Sequence, residues 1–343
     1  MSVVNQVRFG NTGMKISPFI VGCMSYGDRK FRPWVLEDEE KVFEILKYCY
    51  DHGVRTFDTA NVYCNGASER LLGKFLKKYN INRETVVILT KVYFPVDESL
   101  EPFDFTVGGK NDPLTDVTLS NQRGLSRKNI IASVDKSIER LGTYIDVLQI
   151  HRLDHECTGK EIMKALNDVV ESNKVRYIGA STMLATEFVE LQMIADKYDW
   201  FQFVSSQTEY SLLFREDERE LLSYTKRNNL AVLPWSPNAR GLLCRPLGTK
   251  TERSTTESRM LLNMSESDKL IVKRVEELAK KKNVSMAMIS EAWVMSKGYQ
   301  PIIGFSSVER VKEAIEATKI ELTDDEIKYL EEPYQPKKYA IVT

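Results

Sequence analysis

Four side chains in the sequence could together reduce a carbonyl group: Asp58, Tyr63, Lys91 and His151. Reduction needs hydride on carbon and a proton on oxygen. A free tyrosine has a pKa near ~10, so it is a poor acid at neutral pH unless a neighbour tunes it. An ammonium such as Lys91 favours the phenolate, and a carboxylate such as Asp58 keeps that ammonium charged and oriented. A histidine beside the site can orient the carbonyl or donate a hydrogen bond to it. No side chain supplies hydride, so the chemistry implies a nicotinamide cofactor. Singly, each residue has an ordinary structural use. Tyr63 is one of fifteen tyrosines, and Lys91 could be an exposed edge charge. The chemical reading needs a fold that gathers all four.

The elements around them supply one. Val54 to Asp58 reads as a strand ending in the carboxylate, Val86 to Lys91 as one ending in the lysine, and Ile145 to Ile150 as one followed by His151. Further apolar runs lie at Phe19 to Met24, Val175 to Gly179, Phe203 to Ser206, Leu230 to Pro234 and Gln300 to Gly304. Segments of helical periodicity separate most of them. Ser68 is expected to cap the helix running to Lys78, and Arg215 to Asn228 reads as one helix. Short, continuously apolar strands fit a parallel sheet covered by helices. Eight such units favour a closed (β/α)8 TIM barrel over an open sheet, and no G-x-G-x-x-G follows the first strand. A Gly/Asn turn at residues 10–13 marks an N-terminal β-hairpin. Residues 1–343 read as one domain, with no internal linker. Tyr93 to Gly124 and Asn238 to Glu266 exceed ordinary connections and read as long loops over the catalytic face; Pro333 to Thr343 reads as a third wall.

Composition narrows the function classes. Of 343 residues, 42% are hydrophobic and 28% charged, enough for a large core and a solvated surface. The net charge of -1 gives no reason to expect nucleic acid as a partner. No apolar run approaches a membrane span, and five dispersed cysteines suggest reduced thiols in a cytoplasmic protein. Three histidines and scattered cysteines lack metal-ligand spacing, so a metal-dependent barrel hydrolase is disfavoured and no metal is expected.

Asp58-Thr59-Ala60-Asn61-Val62-Tyr63, followed by Gly66 and Ser68-Glu69, resembles the signature of the aldo-keto reductase superfamily. So do Gly22 to Gly27, Leu148 to Arg152, Val175 to Ser181 and Pro234 to Gly241, covering nearly the whole chain. Within the superfamily the chain looks most like fungal aryl-alcohol dehydrogenase-type reductases, which are monomeric or weakly associated. The resemblance implies NADPH bound without a Rossmann fold. It assigns Tyr63 as general acid/base, Asp58 and Lys91 as its tuning pair, and His151 as the group orienting the carbonyl. Ser181 and Gln207 would hold the nicotinamide carboxamide, Trp235 would stack on the ring, and Ser236, Asn238 and Arg240 would line the pyrophosphate. Ser306, Ser307 and Arg310 would meet the adenosine 2′-phosphate. Thr182, Ser307 and Ala314 depart from the family pattern, where asparagine, a cation and asparagine are usual; Arg310 then carries most of the charge at the phosphate.

Tyr26, Trp34, Tyr93 and Phe94 all follow strand ends and could wall an apolar pocket, which suits aryl or medium-chain aldehydes and ketones. Arg32 or Arg152 could instead select an acidic or polar substrate. The rival reading is an NADPH-binding sensor on the same barrel with little turnover.

Overall fold

Eight short strands pair in parallel around a nearly closed barrel, in the order β10-β3-β4-β5-β6-β7-β8-β9. These are β3 (Ile20–Gly22), β4 (Thr56–Asp58), β5 (Val87–Val92), β6 (Ile145–Ile150), β7 (Val175–Ser181), β8 (Phe203–Glu209), β9 (Ala231–Trp235) and β10 (Ile302–Ile303). Before them an antiparallel hairpin joins β1 (Val7–Arg8) to β2 (Lys15–Ile16). The computed structural model describes residues 3–100, 117–249, 251 and 264–339. The seam is bridged where the Gln300 amide donates to the Val232 carbonyl at 3.1 Å.

Strand alternation sorts side chains to two environments. Phe57, Ile88, Leu148, Ile150 and Ile178 point outward into the main core. They meet the apolar faces of α1 (Glu39–Asp51), α2 (Ala67–Lys78), α3 (Arg127–Leu141), α4 (Gly159–Glu171) and α5 (Ala185–Lys197). Leu89, Val147 and Leu233 point inward and pack with Phe9 and Ile16 of the hairpin, which closes the N-terminal end. Two residues further along the same strands the inward positions become Lys91, Gln149 and Trp235. The apolar plug therefore lies below a polar layer at the C-terminal mouth.

A second core forms between α7 (Glu266–Lys282), α8 (Met286–Ser296) and the segments around Tyr210 and Leu243. The series ends with α9 (Val308–Ala317) and α10 (Asp324–Glu331). The expected helix from Arg215 to Asn228 is broken at Glu220, whose backbone (φ -134°, ψ -63°) is not helical. A 3-10 turn at Glu216–Arg219 precedes α6 (Leu221–Arg227).

The start of α2 corrects another expectation. Its N-cap is Gly66, at φ 92°, where a Cβ would lie 2.9 Å from Cδ of Arg140. Ser68 is already inside the helix. Its hydroxyl donates to the Cys23 carbonyl at 2.8 Å and lies 2.9 Å from Oγ1 of Thr59. A side chain that reads as a cap thus ties α2 to the loops after β3 and β4. Next to it, Glu69 is fully buried and accepts from Arg140 (2.7 Å) and Thr90 (2.5 Å). Glu69→Gln leaves the buried Arg140 with only the half-exposed Glu98, at 3.2 Å, as counter-charge, so it is expected to destabilise the fold by roughly 1–3 kcal/mol. Urea unfolding of both proteins measures the loss.

Candidate active site

The four residues that could reduce a carbonyl converge at the C-terminal mouth. Asp58 ends β4, Lys91 lies in β5, and His151 follows β6, whose Gln149 is in register with Lys91. The Lys91 ammonium donates to Asp58 Oδ2 at 2.5 Å, to the Thr59 carbonyl at 2.9 Å and to the Tyr63 hydroxyl at 3.1 Å. It uses all three of its protons, so its position is fixed. Tyr63 is brought over it by a tight turn in which Cys64 and Asn65 take positive φ (49° and 52°). Asn65 then pins the chain after β5 by bonding Asp97 and Leu100.

Asp58 is held from its other side as well. Gln149 and Gln207 donate to Oδ1 at 3.0 and 2.8 Å, and Gln207 also reaches Gln149 Oε1 at 2.8 Å. Gly179, between them on β7, leaves the needed space: a Cβ there would meet Ser205 Oγ at 2.4 Å and Gln149 Cγ at 3.3 Å. Gln149 is a site residue that sequence reasoning missed. Its inward register with Lys91 was the available signal.

Burial sets the protonation states. Burial pulls Lys91 down, but Asp58 and Tyr63 more than offset it, and the ammonium is held above its ordinary value. For Tyr63, burial raises the phenol pKa and outweighs the opposing pull of Lys91. The net shift is upward, against the expectation that the lysine would dominate, so Tyr63 retains its proton at neutral pH. Burial, with Arg152 and Lys91 adding to it, drives His151 well below 6.5, leaving a neutral imidazole. Its edge packs on Tyr63 (ring centroids 5.8 Å apart) and on Phe94 (5.1 Å), and its buried Nδ1 has no partner among the described residues.

The expected substrate wall divides. Phe94 stands against His151, with Tyr93 5.0 Å beyond it, and Trp34 is partly buried. Tyr26 does not stand in an open wall. It is 1% exposed and belongs to the main core, where burial and the thiols Cys23 and Cys49 push its phenol up.

The candidate cofactor residues occupy the neighbouring arc of the mouth. Ser181 and Gln207 are buried and paired in register across β7 and β8. Gln207 spends its amide protons on Asp58 and Gln149, leaving its Oε1 to accept from a carboxamide. Trp235 donates through Nε1 to Thr182 Oγ1 at 3.1 Å, so the departure at Thr182 anchors the indole. Ser236 and Arg240 both adopt positive φ (53° and 55°). The Arg240 guanidinium sits 5.8 Å from the Trp235 ring and 3.7 Å from Glu209. Ser306 and Arg310 are exposed near the start of α9, where Ser307 is the N-cap. At that helix start the backbone N–H of Glu309 and the Ser307 hydroxyl lower the pKa of the exposed Glu309 carboxyl from its usual range.

Asn238 donates to Glu291 at 2.8 Å, while Asn238 Oδ1 and Glu291 Oε2 are buried without partners among the described residues. Burial raises the Glu291 pKa to about 8. The folded protein then holds a proton that the unfolded chain releases near the ordinary carboxylate pKa. Glu291 therefore contributes stability that is lost as pH rises from about 4.5 towards 8. Glu291→Gln is expected to raise the melting temperature at pH 8 relative to the parent, with a smaller gain at pH 5. Thermal unfolding at the two pH values checks the sign.

The tail also packs at this end. Tyr339 donates to Asp217 at 2.7 Å, Tyr334 to Glu216 at 2.7 Å, and Lys337 to Asp268 at 2.5 Å. Asp217 in turn accepts from Thr208 of β8. Much of the two long loops expected over the mouth lies outside the described residues. Among the described residues, no helix is long and apolar enough to cross a membrane.

Residues 18–335 match the model of the aldo/keto reductase family. The chain is 60% identical to the Saccharomyces cerevisiae protein named "Putative aryl-alcohol dehydrogenase AAD16", over 98% of this chain and 99% of that protein. It is 48% identical to versiconal hemiacetal acetate reductase of Aspergillus parasiticus, over 96% and 97% of the two chains. With a family-model match along nearly the whole length and a relative 60% identical over 98% of it, the chain belongs to the aldo/keto reductase family.

Proposed function

We propose that this protein is an NADPH-dependent carbonyl reductase that converts aldehydes, aryl or aliphatic, and some ketones to alcohols, with Tyr63 as the general acid. The observation that carries the reading is the buried chain Asp58–Lys91–Tyr63 with neutral His151 beside it. A bound nicotinamide supplies the hydride. The chain's residues manage the oxygen. Tyr63 gives its proton to the carbonyl oxygen as negative charge develops there. Lys91 remains charged and stabilises the phenolate that results, and Asp58 holds Lys91 in place through the step. Neutral His151 orients the carbonyl without competing as a proton source. Phe94 and Tyr93 exclude water on one side, which strengthens each of these interactions.

Ser181 and Gln207 would receive the carboxamide, Trp235 the ring, and Ser236, Asn238 and Arg240 the pyrophosphate. Preference for NADPH rests on Arg310 with Ser306 and Ser307, where a cation and hydroxyls suit a phosphate dianion at a helix start. The residue that opposes it is Glu309. The test follows the loss of reduced-nicotinamide absorbance with NADPH and with NADH across a panel of aromatic and aliphatic carbonyls. Turnover with NADPH supports the reading. Tight NADPH binding without turnover of any carbonyl would favour a cofactor-sensing protein instead.

A further inference from the structure

Arg152 lies beside the catalytic groups but has no role in the proton transfer. Its guanidinium donates once, through Nη1 to the His151 carbonyl at 2.6 Å, and stands 5.9 Å from the centroid of Phe94. No carboxylate of the described residues comes within ion-pair distance of it. Three other partly or fully buried arginines differ. Arg83 meets Asp146 at 2.6 Å, Arg140 meets Glu69 at 2.7 Å, and Arg215 meets Glu218 at 2.8 Å. Taking a guanidinium partly out of water is unfavourable unless its donors are used. Burial indeed pulls Arg152 below its ordinary value, with Tyr63, Tyr93, Glu209 and Tyr339 near enough to oppose the shift.

The surroundings indicate what the free donors face. Tyr63, His151 and Phe94 form a continuous edge-on aromatic wall, and Arg152 lies at its far end from Lys91. A guanidinium presents a planar fork that matches a carboxylate with two parallel hydrogen bonds. An aromatic aldehyde lying along Phe94 would place its carbonyl at Tyr63 and a ring substituent towards Arg152.

We propose that Arg152 is a specificity-determining residue that receives a carboxylate on the substrate, so that aromatic aldehydes bearing an acid group are preferred. The inference rests on carbonyl reduction at Tyr63 and adds a substrate class to it. Glu209 is the carboxylate nearest to competing for Arg152, and it is drawn instead towards Arg240 at 3.7 Å.

The full-length protein with NADPH is assayed with 3- and 4-formylbenzoate and with their methyl esters, which keep the ring and the aldehyde but lack the charge. The acids are expected to exceed the esters in kcat/KM by about tenfold or more, the worth of one charge-assisted hydrogen bond. In Arg152→Met that ratio should collapse towards one, with the loss in KM for the acids. Arg152→Lys, which keeps the charge without the fork, should retain part of it. Equal kcat/KM for acids and esters in the parent protein overturns the inference while leaving carbonyl reduction standing. A preference that survives in Arg152→Met overturns it too. If neither acids nor esters are reduced, the proposed reaction and this inference fall together.

Discussion

Tyr63→Phe is expected to lower kcat for aldehyde reduction by roughly 10²–10⁴-fold, the usual contribution of a positioned general acid. Nicotinamide binding should be nearly unchanged, because the lost hydroxyl touches only Lys91 among its described neighbours. Stopped-flow turnover and fluorescence titration with NADPH separate the two effects. The raised pKa of Tyr63 adds a pH signature. The acid form is the active one for reduction, so the parent rate should stay level through neutral pH and fall only in strongly alkaline solution. The phenylalanine variant should lack that alkaline limb. A variant that reduces aldehydes at the parent rate would remove Tyr63 as the donor.

The second large effect is expected at Lys91. Lys91→Met deletes the charge that stabilises the phenolate and leaves Asp58 buried without its cation. Turnover should fall by about 10²-fold or more. Stability should fall by about 3–5 kcal/mol, as when one partner of a buried ion pair is removed. The two consequences can be separated. In Lys91→Met with Asp58→Asn, the buried charge is gone and much of the stability should return, since Gln149 and Gln207 can still pair with an amide. The activity should not return. Chemical denaturation of the single and double variants reads the first quantity, and turnover reads the second. Recovery of turnover in the double variant would show that Lys91 acts only through the fold.

Both predictions use residues that the sequence already singled out, and the reason is geometric. A barrel strand alternates between two environments, so an apolar run ending in a polar residue places that residue at the mouth. Asp58, Lys91 and His151 each end such a run, and Tyr63 follows one. Their convergence needed only the order of the strands, which right-handed crossovers dictate. The eight strands, the hairpin and most helices were legible for the same reason: periodicity and turn chemistry are local.

What the sequence could not determine was which polar groups spend their hydrogen bonds on one another. Gln207 reaches Asp58 across 149 residues, and Gln149 reaches it across 91. No local pattern marks such pairs, and Gln149 was passed over between two apolar neighbours. Ser68 carried the local chemistry of a helix cap, yet Gly66 took that place because Ser68 could satisfy Cys23 and Thr59 from a buried position. Tyr26 follows a strand end like the other aromatics, but its loop turns it into the core. Glu69 and Glu291 look alike in sequence, each acidic within a helix. Only the fold gives Glu69 the Arg140 guanidinium and gives Glu291 a neutral amide, so one is an ion pair and the other a carboxyl whose pKa burial raises to about 8. By itself the sequence determined the barrel and placed the four candidate reactive groups at one mouth of it, because alternation and strand order are written along the chain. The tertiary structure alone decided their charge states and left Arg152 without a carboxylate among the described residues, because burial and pairing arise between residues distant in sequence.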